Sequence, residues 1–235
     1  MKKISIVIPV YNEEKTIVKI LEIIWRLDLD LNKEIIIVND GSRDKSKEII
    51  QNYLRKKKKI KGTDIVFISK ENGGKGSAIR EGINRASGDL LIMQDADSEY
   101  NPQEIKKLIE EINKGEYDAI YGSRILKDNP YQYFTYYLGN RFLSFLTSVL
   151  YGAKITDMET CYKLLPAKIA KEIELKAKGF DMEPEITAKI LKRGYKIKEI
   201  PISYNPRTKE EGKKINWEDG LKAVWVLLYW RFKRF

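Results

Sequence analysis

The chain of 235 residues contains no histidine and one cysteine, Cys161. The lack of histidine excludes catalytic triads, zinc sites and general bases that depend on an imidazole. A single cysteine excludes a disulfide framework and is typical of a protein in a reducing cytoplasm. No run approaches the roughly 18 consecutive apolar residues of a membrane span. The N-terminus leads directly into a strand-like run, so we expect no signal peptide.

Acidic residues are also in the minority, with 34 Asp and Glu against 44 Lys and Arg and a net charge of +10. Such an excess indicates an anionic partner, which can be a nucleic acid, a membrane surface or a phosphorylated substrate. The first half of the chain has no basic stripe interleaved with aromatic residues. We therefore expect no nucleic-acid partner.

Short runs rich in Ile and Val alternate with amphipathic helical stretches through the first half of the chain. The runs predict strands at residues 4–10, 34–38, 64–69, 89–94 and 118–122. They are apolar on successive residues, as in strands that are covered on both faces. The fold class expected is therefore α/β, a mostly parallel sheet flanked by helices, with ligands bound outside the carboxyl ends of the strands.

The acidic pair Asp95 and Asp97 follows a buried strand in the segment Asp95-Ala96-Asp97. Carboxylate oxygens suit Mg²⁺ or Mn²⁺, and Mg²⁺ usually takes one or two of them and completes its shell with water and phosphates. A turn or a helix cap is the alternative for an isolated pair of this kind. Further groups follow the predicted strands on the same edge, which favours a bound cation: Pro9, Tyr11, Glu13, Asp40 and Glu99.

A glycine-rich segment, residues 72–77 (NGGKGS), follows the third predicted strand and begins a helix. Glycines there allow backbone amides to approach a phosphate, and Lys75 adds positive charge. The spacing of a P-loop is absent. A plain glycine-rich turn is the alternative interpretation.

The second half contains two unusually apolar helical stretches. Residues 131–151 carry one narrow polar stripe, consisting of Asn140, Arg141, Ser144, Thr147 and Ser148. Either this helix is buried in the core with Arg141 paired, or its apolar side faces lipid while the stripe faces a site. Residues 217–232 place Trp and Leu on one face and end among Tyr, Lys and Arg, a pattern typical of a helix at a membrane interface.

Four segments occur in a fixed order: residues 5–14 (SIVIPVYNEE), 36–42 (IIVNDGS), 72–76 (NGGKG) and 95–97 (DAD). Together they resemble the family 2 glycosyltransferases of the GT-A fold, which is Rossmann-like. Segments 156–163, 183–185 and 204–214 suggest the group of dolichol-phosphate mannosyltransferases and polyprenyl-phosphate glycosyltransferases. Relatives often have Ser-Gly-Phe where this chain has Thr160-Cys161-Tyr162, which concerns the acceptor more than the donor.

The resemblance implies roles for individual residues. Mg²⁺ or Mn²⁺ would be held by Asp95, Asp97 and Glu99. The residues implied for the nucleotide-sugar donor are Pro9, Tyr11, Glu13, Asp40, Lys75, Asp95, Arg207 and Lys213. Those implied for the acceptor phosphate are Arg124, Arg141 and Ser144.

The implied activity is inverting, metal-dependent transfer of a hexose from a UDP- or GDP-sugar to dolichyl or undecaprenyl phosphate. We expect a nucleotide-sugar core in residues 1–130, an acceptor-side part in 131–215 and an amphipathic membrane-associating helix in 216–235. The protein would be peripheral on the cytoplasmic face of the membrane, on its own or held by a membrane partner subunit. The alternative is a hydroxyl acceptor in a glycolipid or surface polysaccharide, with Asp157 or Glu183 as the base.

Overall fold

The computed structural model describes residues 2–58, 60–131, 133–208 and 217–233. Within these ranges seven strands form one sheet. They are β1 (Lys3–Val10), β2 (Asn32–Asp40), β3 (Thr63–Lys70), β4 (Leu90–Met93), β5 (Ala119–Ser123), β6 (Lys163–Pro166) and β7 (Ile197–Pro201). The strand order is β3-β2-β1-β4-β6-β5-β7. All neighbours pair in parallel except β6, which is antiparallel to both β4 and β5.

Helices connect the strands and cover the sheet. They are α1 (Ile17–Arg26), α2 (Ser46–Lys56), α3 (Lys75–Arg85), α4 (Ile105–Ile112), α5 (Phe134–Tyr151), α6 (Ala167–Glu172), α7 (Met182–Lys192) and α8 (Trp217–Phe232). A short 3₁₀ turn at Pro102–Glu104 precedes α4, and the Asn101 side chain caps it by accepting from the Gln103 amide at 3.1 Å. This cap and the proline after it define where the helical segment begins.

The mostly parallel α/β fold predicted from the sequence is confirmed, with all five predicted strands present. Strands β6 and β7 were missed. The first is only four residues long and includes a buried lysine, Lys163. The second, Ile-Lys-Glu-Ile-Pro, is only partly buried, so neither shows the continuous apolar run of a central strand.

The main core lies on both faces of the central strands. Ile4, Ile6 and Ile8 of β1 are fully buried, and all four residues of β4 are buried. Burial on both faces explains why these strands are apolar on successive positions rather than on alternate ones. A second apolar cluster fills the space between α5, α7 and α8, with Leu143, Met158 and Leu227 among its members.

Helices α5 and α8 also present large apolar side chains to the exterior, which we call the exposed apolar face. It consists of Phe134, Leu138, Phe142, Phe145 and Val149 of α5, and of Trp217, Leu221, Trp225, Leu228 and Phe232 of α8. In each helix these residues occur at i, i+4, i+8, i+11 and i+15, which is one helical face. Helix α8 is therefore apolar on two sides, because Ala223, Val226, Leu227 and Trp230 are buried beneath it.

No helix in the described ranges is long and apolar enough to cross a membrane. The division of the chain at residue 130 stays a prediction. Strands β6 and β7, from the predicted acceptor-side part, belong to the same sheet as β1–β5. The boundary predicted at residue 215 lies outside the described residues.

Candidate active site

A cavity of about 1090 Å³ opens at the carboxyl ends of β1, β2 and β4 and extends to α5 and α8. Tyr11 and Asp40 line one part of it, and Tyr136, Asn140 and Trp217 line another. The residues predicted for the donor and the metal all line this cavity where the structure describes them: Pro9, Tyr11, Glu13, Asp40, Lys75, Asp95, Asp97, Glu99 and Arg207. Lys213 lies outside the described residues.

Asp95 follows the end of β4 and is ion-paired with Lys75, the first residue of α3. The Lys75 Nζ lies 2.8 Å from a carboxylate oxygen of Asp95 and 3.6 Å from one of Glu183. Burial alone would raise the pKa of Asp95, but the charge and hydrogen bond of Lys75 outweigh it and hold that pKa below its ordinary value. Asp95 is therefore an anion whose ion-pair partner is Lys75.

Asp97 and Glu13 share the guanidinium of Arg207. Its NH2 group donates to Asp97 Oδ2 at 2.7 Å, and its NH1 group donates to Glu13 Oε2 at 3.1 Å. Burial, followed by the charges of Asp95 and Glu99, raises the pKa of Asp97 to about 7 despite the opposing effect of Arg207. The acidic groups around Asp97 therefore exceed what one guanidinium can neutralise.

The position of Arg207 is set by the segment 204–207, which runs beside residues 99–100. The amide of Asn205 donates to the Glu99 carbonyl at 2.9 Å, and the amide of Arg207 donates to Glu99 Oε1 at 2.7 Å. Tyr100 and Tyr204 form an isolated antiparallel bridge. Glu99 thus holds the backbone that delivers the guanidinium to Asp97.

In the described part of the chain, no group of three or more His, Cys, Asp or Glu side chains could hold a metal ion by itself. The donor set instead fits a cation held by Asp95 and Asp97 that completes its shell with phosphate oxygens, as Mg²⁺ commonly does. The raised pKa of Asp97 agrees with this, because its carboxylate lacks full compensation by Arg207. A divalent ion bound there would stabilise negative charge on a departing diphosphate.

Asp40, at the end of β2, is buried and fixes the glycine-rich loop. Its two carboxylate oxygens accept from the amides of Gly73 at 3.0 Å and Gly74 at 2.8 Å, and Lys70 is ion-paired with it. The amides that the sequence suggested for a phosphate therefore bind Asp40. Gly74 is required for two reasons: its φ is +89°, and an added Cβ would lie 2.4 Å from the Lys178 carbonyl oxygen.

Arg124 is held by Asp157 through a bidentate pair that is buried beside the cavity. The distances are 2.8 Å from Nε to Oδ2 and 2.7 Å from NH2 to Oδ1, and Asn140 also donates to Asp157 at 2.8 Å. Burial would raise the pKa of Asp157, but Arg124 outweighs it and holds the pKa below its ordinary value. The guanidinium lies over the ring of Tyr204, with 5.0 Å to the centroid.

The structure separates the other two residues predicted for the acceptor phosphate. Ser144 is buried, and its Oγ accepts from the amide of Met158 at 2.9 Å. Arg141 is exposed and is not among the residues that line the cavity. Neither alternative for α5 holds in full, because Ser144 and Thr147 of the polar stripe are buried while apolar side chains such as Phe145 are exposed.

Glu183 and Glu159 are among the further carboxylates that line the cavity. Glu183 is buried and ion-paired with the fully buried Lys163. Glu159 is half-buried, and its Oε1 is buried without a hydrogen-bond partner. Burial, followed by the charge of Glu183, raises the pKa of Glu159 to about 7. Sequence reasoning did not single out Glu159, although it lies in the segment 156–163 that carried the resemblance.

The model of the family described as Glycosyl transferase family 2 matches residues 5–174 of the chain. Among characterised relatives, the dolichol-phosphate mannosyltransferase of Pyrococcus furiosus is 32% identical over 90% of this chain. The dolichyl-phosphate beta-glucosyltransferase of Trichomonas vaginalis is 32% identical over 86% of this chain. The chain spans 59% and 65% of the lengths of these two relatives, respectively.

A solved structure with the same fold is the glucosyl-3-phosphoglycerate synthase of Mycobacterium tuberculosis in complex with Mn²⁺ and UDP-glucose. It superposes with a TM-score of 0.71 over 98% of this chain and 79% of that chain, at 19% sequence identity. At this identity the likeness establishes the fold, which is the GT-A fold expected from the sequence. With the family model matching well over half of its residues, the chain belongs to glycosyl transferase family 2.

Proposed function

We propose that this glycosyltransferase moves a hexose from a UDP- or GDP-sugar to a polyprenyl phosphate, either dolichyl or undecaprenyl phosphate, with inversion at the anomeric carbon. Mg²⁺ or Mn²⁺ would assist the departure of the nucleotide. The reaction would take place at the cytoplasmic face of a membrane, to which the protein binds peripherally, on its own or through a membrane partner subunit.

The observation that carries the proposal is the continuity between the acidic end of the cavity and the exposed apolar face. One cavity is lined by Asp95 and Asp97 and also by Leu143 of α5 and Trp217 of α8. Phe145 and Trp225, which belong to the same two helices, are 66% and 62% exposed. Exposed apolar patches of this kind mark interaction surfaces. A lipid-linked phosphate would leave its tail in the bilayer while its head enters the cavity.

The chemistry of the donor end suits a diphosphate leaving group. Breaking a bond between a sugar and a diphosphate requires stabilisation of negative charge, which a divalent ion and positively charged side chains supply without proton transfer. Asp95 and Asp97 would hold the ion. Lys75 and Arg207, which are ion-paired with these carboxylates, would contact the diphosphate. A Mn²⁺–UDP-glucose complex of a protein with the same fold supports this use of the cavity.

The ion pairs of the two base candidates predicted from the sequence favour a phosphate acceptor over a hydroxyl acceptor. A hydroxyl needs a base within hydrogen-bond reach, whereas a phosphate monoester is mostly dianionic at neutral pH. The two base candidates predicted from the sequence, Asp157 and Glu183, are bound by Arg124 and Lys163. Asp157 uses only two of the five guanidinium N–H groups of Arg124, so this cation can also bind an anionic head group. The names of the two dolichol-linked relatives support the same acceptor class.

The exposed apolar face provides the means of membrane binding in this proposal. Its aromatic and aliphatic side chains lie on two adjacent helices, α5 and α8. Exposed cations flank it, namely Arg141, Lys222 and Arg231. An apolar face combined with cations binds reversibly to a membrane surface that carries anionic lipids.

The test is incubation with short-chain polyprenyl phosphate and, separately, UDP-glucose, UDP-N-acetylglucosamine and GDP-mannose, in the presence of Mn²⁺. The proposal expects a lipid-linked sugar from at least one donor, and loss of that product in Asp97→Asn. Asp64→Asn, at a mostly exposed carboxylate outside the cavity, is the matched control. The absence of lipid-linked product with every donor, together with transfer to a hydroxyl acceptor, would contradict the proposal.

A further inference from the structure

Glu159 lines the cavity and has a carboxyl oxygen that lacks a hydrogen-bond partner in the described part of the structure. Its Oε1 is buried and accepts no hydrogen bond from any described residue. A buried polar atom without a partner is destabilising, because it has lost its hydrogen bonds to water. Such atoms are rare in folded proteins and call for an explanation, which at the wall of a large cavity can be a ligand that donates the missing hydrogen bond.

The cations around Glu159 are already bound to other acids. Its pKa is influenced by four neighbours, Glu183, Lys163, Arg124 and Asp157. Lys163 is ion-paired with Glu183, and Arg124 makes its bidentate pair with Asp157. Within the described ranges, no positively charged side chain forms an ion pair with Glu159.

The loop that carries Glu159 is fixed by hydrogen bonds on both sides of it. The amides of Thr156 and Asp157 donate to Glu199 at 2.7 and 2.8 Å. The amide of Met158 donates to Ser144 Oγ at 2.9 Å, and that of Cys161 donates to the Tyr100 hydroxyl at 3.1 Å. A side chain on so constrained a backbone is preorganised for a ligand.

We propose that Glu159 is a specificity-determining residue that accepts a hydrogen bond from a hydroxyl of the sugar carried by the donor. The inference rests on the proposed function and specifies that this side chain contacts the sugar of the donor substrate. A phosphate would be repelled by the carboxylate, and an apolar tail would leave Oε1 unsatisfied. A hydroxyl satisfies it, and a site built to bond a hydroxyl discriminates strongly against sugars that lack it.

The surroundings of Glu159 are compatible with a neutral hydroxyl ligand. With a pKa of about 7, its carboxyl exists both protonated and ionised near neutral pH. Either form accepts a hydrogen bond. Glu183 lines the same cavity, and its Oε1 also lacks a hydrogen-bond partner among the described residues, with Lys75 Nζ 3.6 Å away.

The experiment measures dissociation constants by calorimetry, in Mn²⁺, for UDP and UDP-glucose, UDP and UDP-N-acetylglucosamine, and GDP and GDP-mannose. In each pair, the ratio of the two dissociation constants measures the gain in affinity that the sugar provides over the nucleotide diphosphate alone. For the pair in which the sugar tightens binding to the wild type, Glu159→Ala is expected to reduce that gain about tenfold, the equivalent of one hydrogen bond to a charged group. The nucleotide diphosphate should bind within about twofold of the wild type, since each such bond contributes separately.

Two variants accompany Glu159→Ala. Glu159→Gln keeps one acceptor oxygen and nearly the same volume, so it should recover part of the gain and remains informative if the alanine variant folds poorly. Glu116→Ala, at an exposed position outside the cavity, should leave every constant unchanged.

An unchanged gain in both Glu159 variants would overturn the inference and leave the proposed function intact. Loss of transfer to a hydroxyl acceptor with an unchanged gain would also overturn it, because Glu159 would then act as a base. Failure of the wild type to bind any of the three nucleotide sugars would overturn the proposed function and the inference together.

Discussion

The end of the cavity that we propose binds the donor (the donor end) and the wall that we propose binds the acceptor (the acceptor wall) are built on different physical principles. At the donor end, the acids at the ends of parallel strands are each bound to a cation: Asp40 to Lys70, Asp95 to Lys75, and Asp97 and Glu13 to Arg207. The acceptor wall has one buried bidentate pair and two helices with an exposed apolar face. The first arrangement suits a charged, metal-bound ligand, and the second suits a ligand that is polar at one end and apolar at the other.

The largest effect is expected from Asp97→Asn at the donor end. This change removes a predicted metal ligand, and losing one such electrostatic contribution typically lowers turnover by about 10²–10³-fold. Transfer rates measured across a Mn²⁺ titration provide the test, with Asp64→Asn as the control. If Asp97→Asn turns over at nearly the wild-type rate at all Mn²⁺ concentrations, Asp97 is not a metal ligand and the donor end is not a metal-binding region.

The next largest effect is expected at the acceptor wall, from Asp157→Asn. Arg124 would lose its bidentate partner while remaining beside the cavity, and breaking a buried pair from one side costs about 3–5 kcal/mol. Urea unfolding should detect this loss. In a double variant with Arg124→Gln the cost should be less than the sum of the two single changes. If the losses of unfolding free energy in the two single variants add up to the loss in the double variant, then Arg124 and Asp157 do not stabilise this wall as a pair.

The pH dependence of stability tests the state of Glu159. Its pKa is about 7 in the folded protein against an ordinary value of 4.5, so the folded protein holds the extra proton more tightly than the unfolded chain. This contribution to stability is full below pH 4.5 and is lost as the pH rises to 7. Glu159→Gln should therefore equal the wild type near pH 4.5 and exceed it by about 3 kcal/mol at pH 8.

Urea unfolding at pH 4.5, 6 and 8 measures this difference. Some pH dependence should persist in Glu159→Gln, because the pKa of Asp97 is raised in the same direction. Glu116→Gln serves as the exposed control. Parallel stability profiles for the wild type and Glu159→Gln would rule out the raised pKa of Glu159 in the folded protein.

The smallest effect is expected from Arg207→Gln, which tests competition at Asp97. The Arg207 guanidinium occupies Asp97 Oδ2 at 2.7 Å, so a metal ion must displace it. Removing it should tighten Mn²⁺ binding without nucleotide by about tenfold, comparable to one charge-assisted hydrogen bond. Mn²⁺ electron paramagnetic resonance measures this affinity. Arg85→Gln, at a mostly exposed arginine, is the control. Weaker Mn²⁺ binding in Arg207→Gln than in the wild type would contradict the idea that Arg207 and Mn²⁺ compete for Asp97.

The sequence was most informative where function depends on short segments at strand ends. Asp95 and Asp97 are two residues apart and follow an apolar run, so their placement at one edge of a parallel sheet could be predicted from the pattern alone. The contacts of Arg207 with Asp97 and Glu13 could not, because they join residues 110 and 194 positions apart. Only the folded chain reveals that Arg207 pairs with the acids themselves.

The acceptor wall was less predictable for the same physical reason. The narrow polar stripe of α5 was correctly identified as unusual, but its burial depends on contacts with the loop at 155–158 and with α8. The apolar residues opposite the stripe lack such partners and are exposed. Periodicity predicts which residues share a helical face, and tertiary packing decides which face is covered.

The head group of the acceptor provides the most direct test of the central claim. A short-chain polyprenyl phosphate and the corresponding alcohol, with identical tails, are compared as acceptors with the donor that the wild type uses best. The account predicts transfer to the phosphate at a rate at least about 100-fold above that to the alcohol, because Arg124 can bind an anion while the base candidates Asp157 and Glu183 are each bound by a cation. Equal or faster transfer to the alcohol would contradict it.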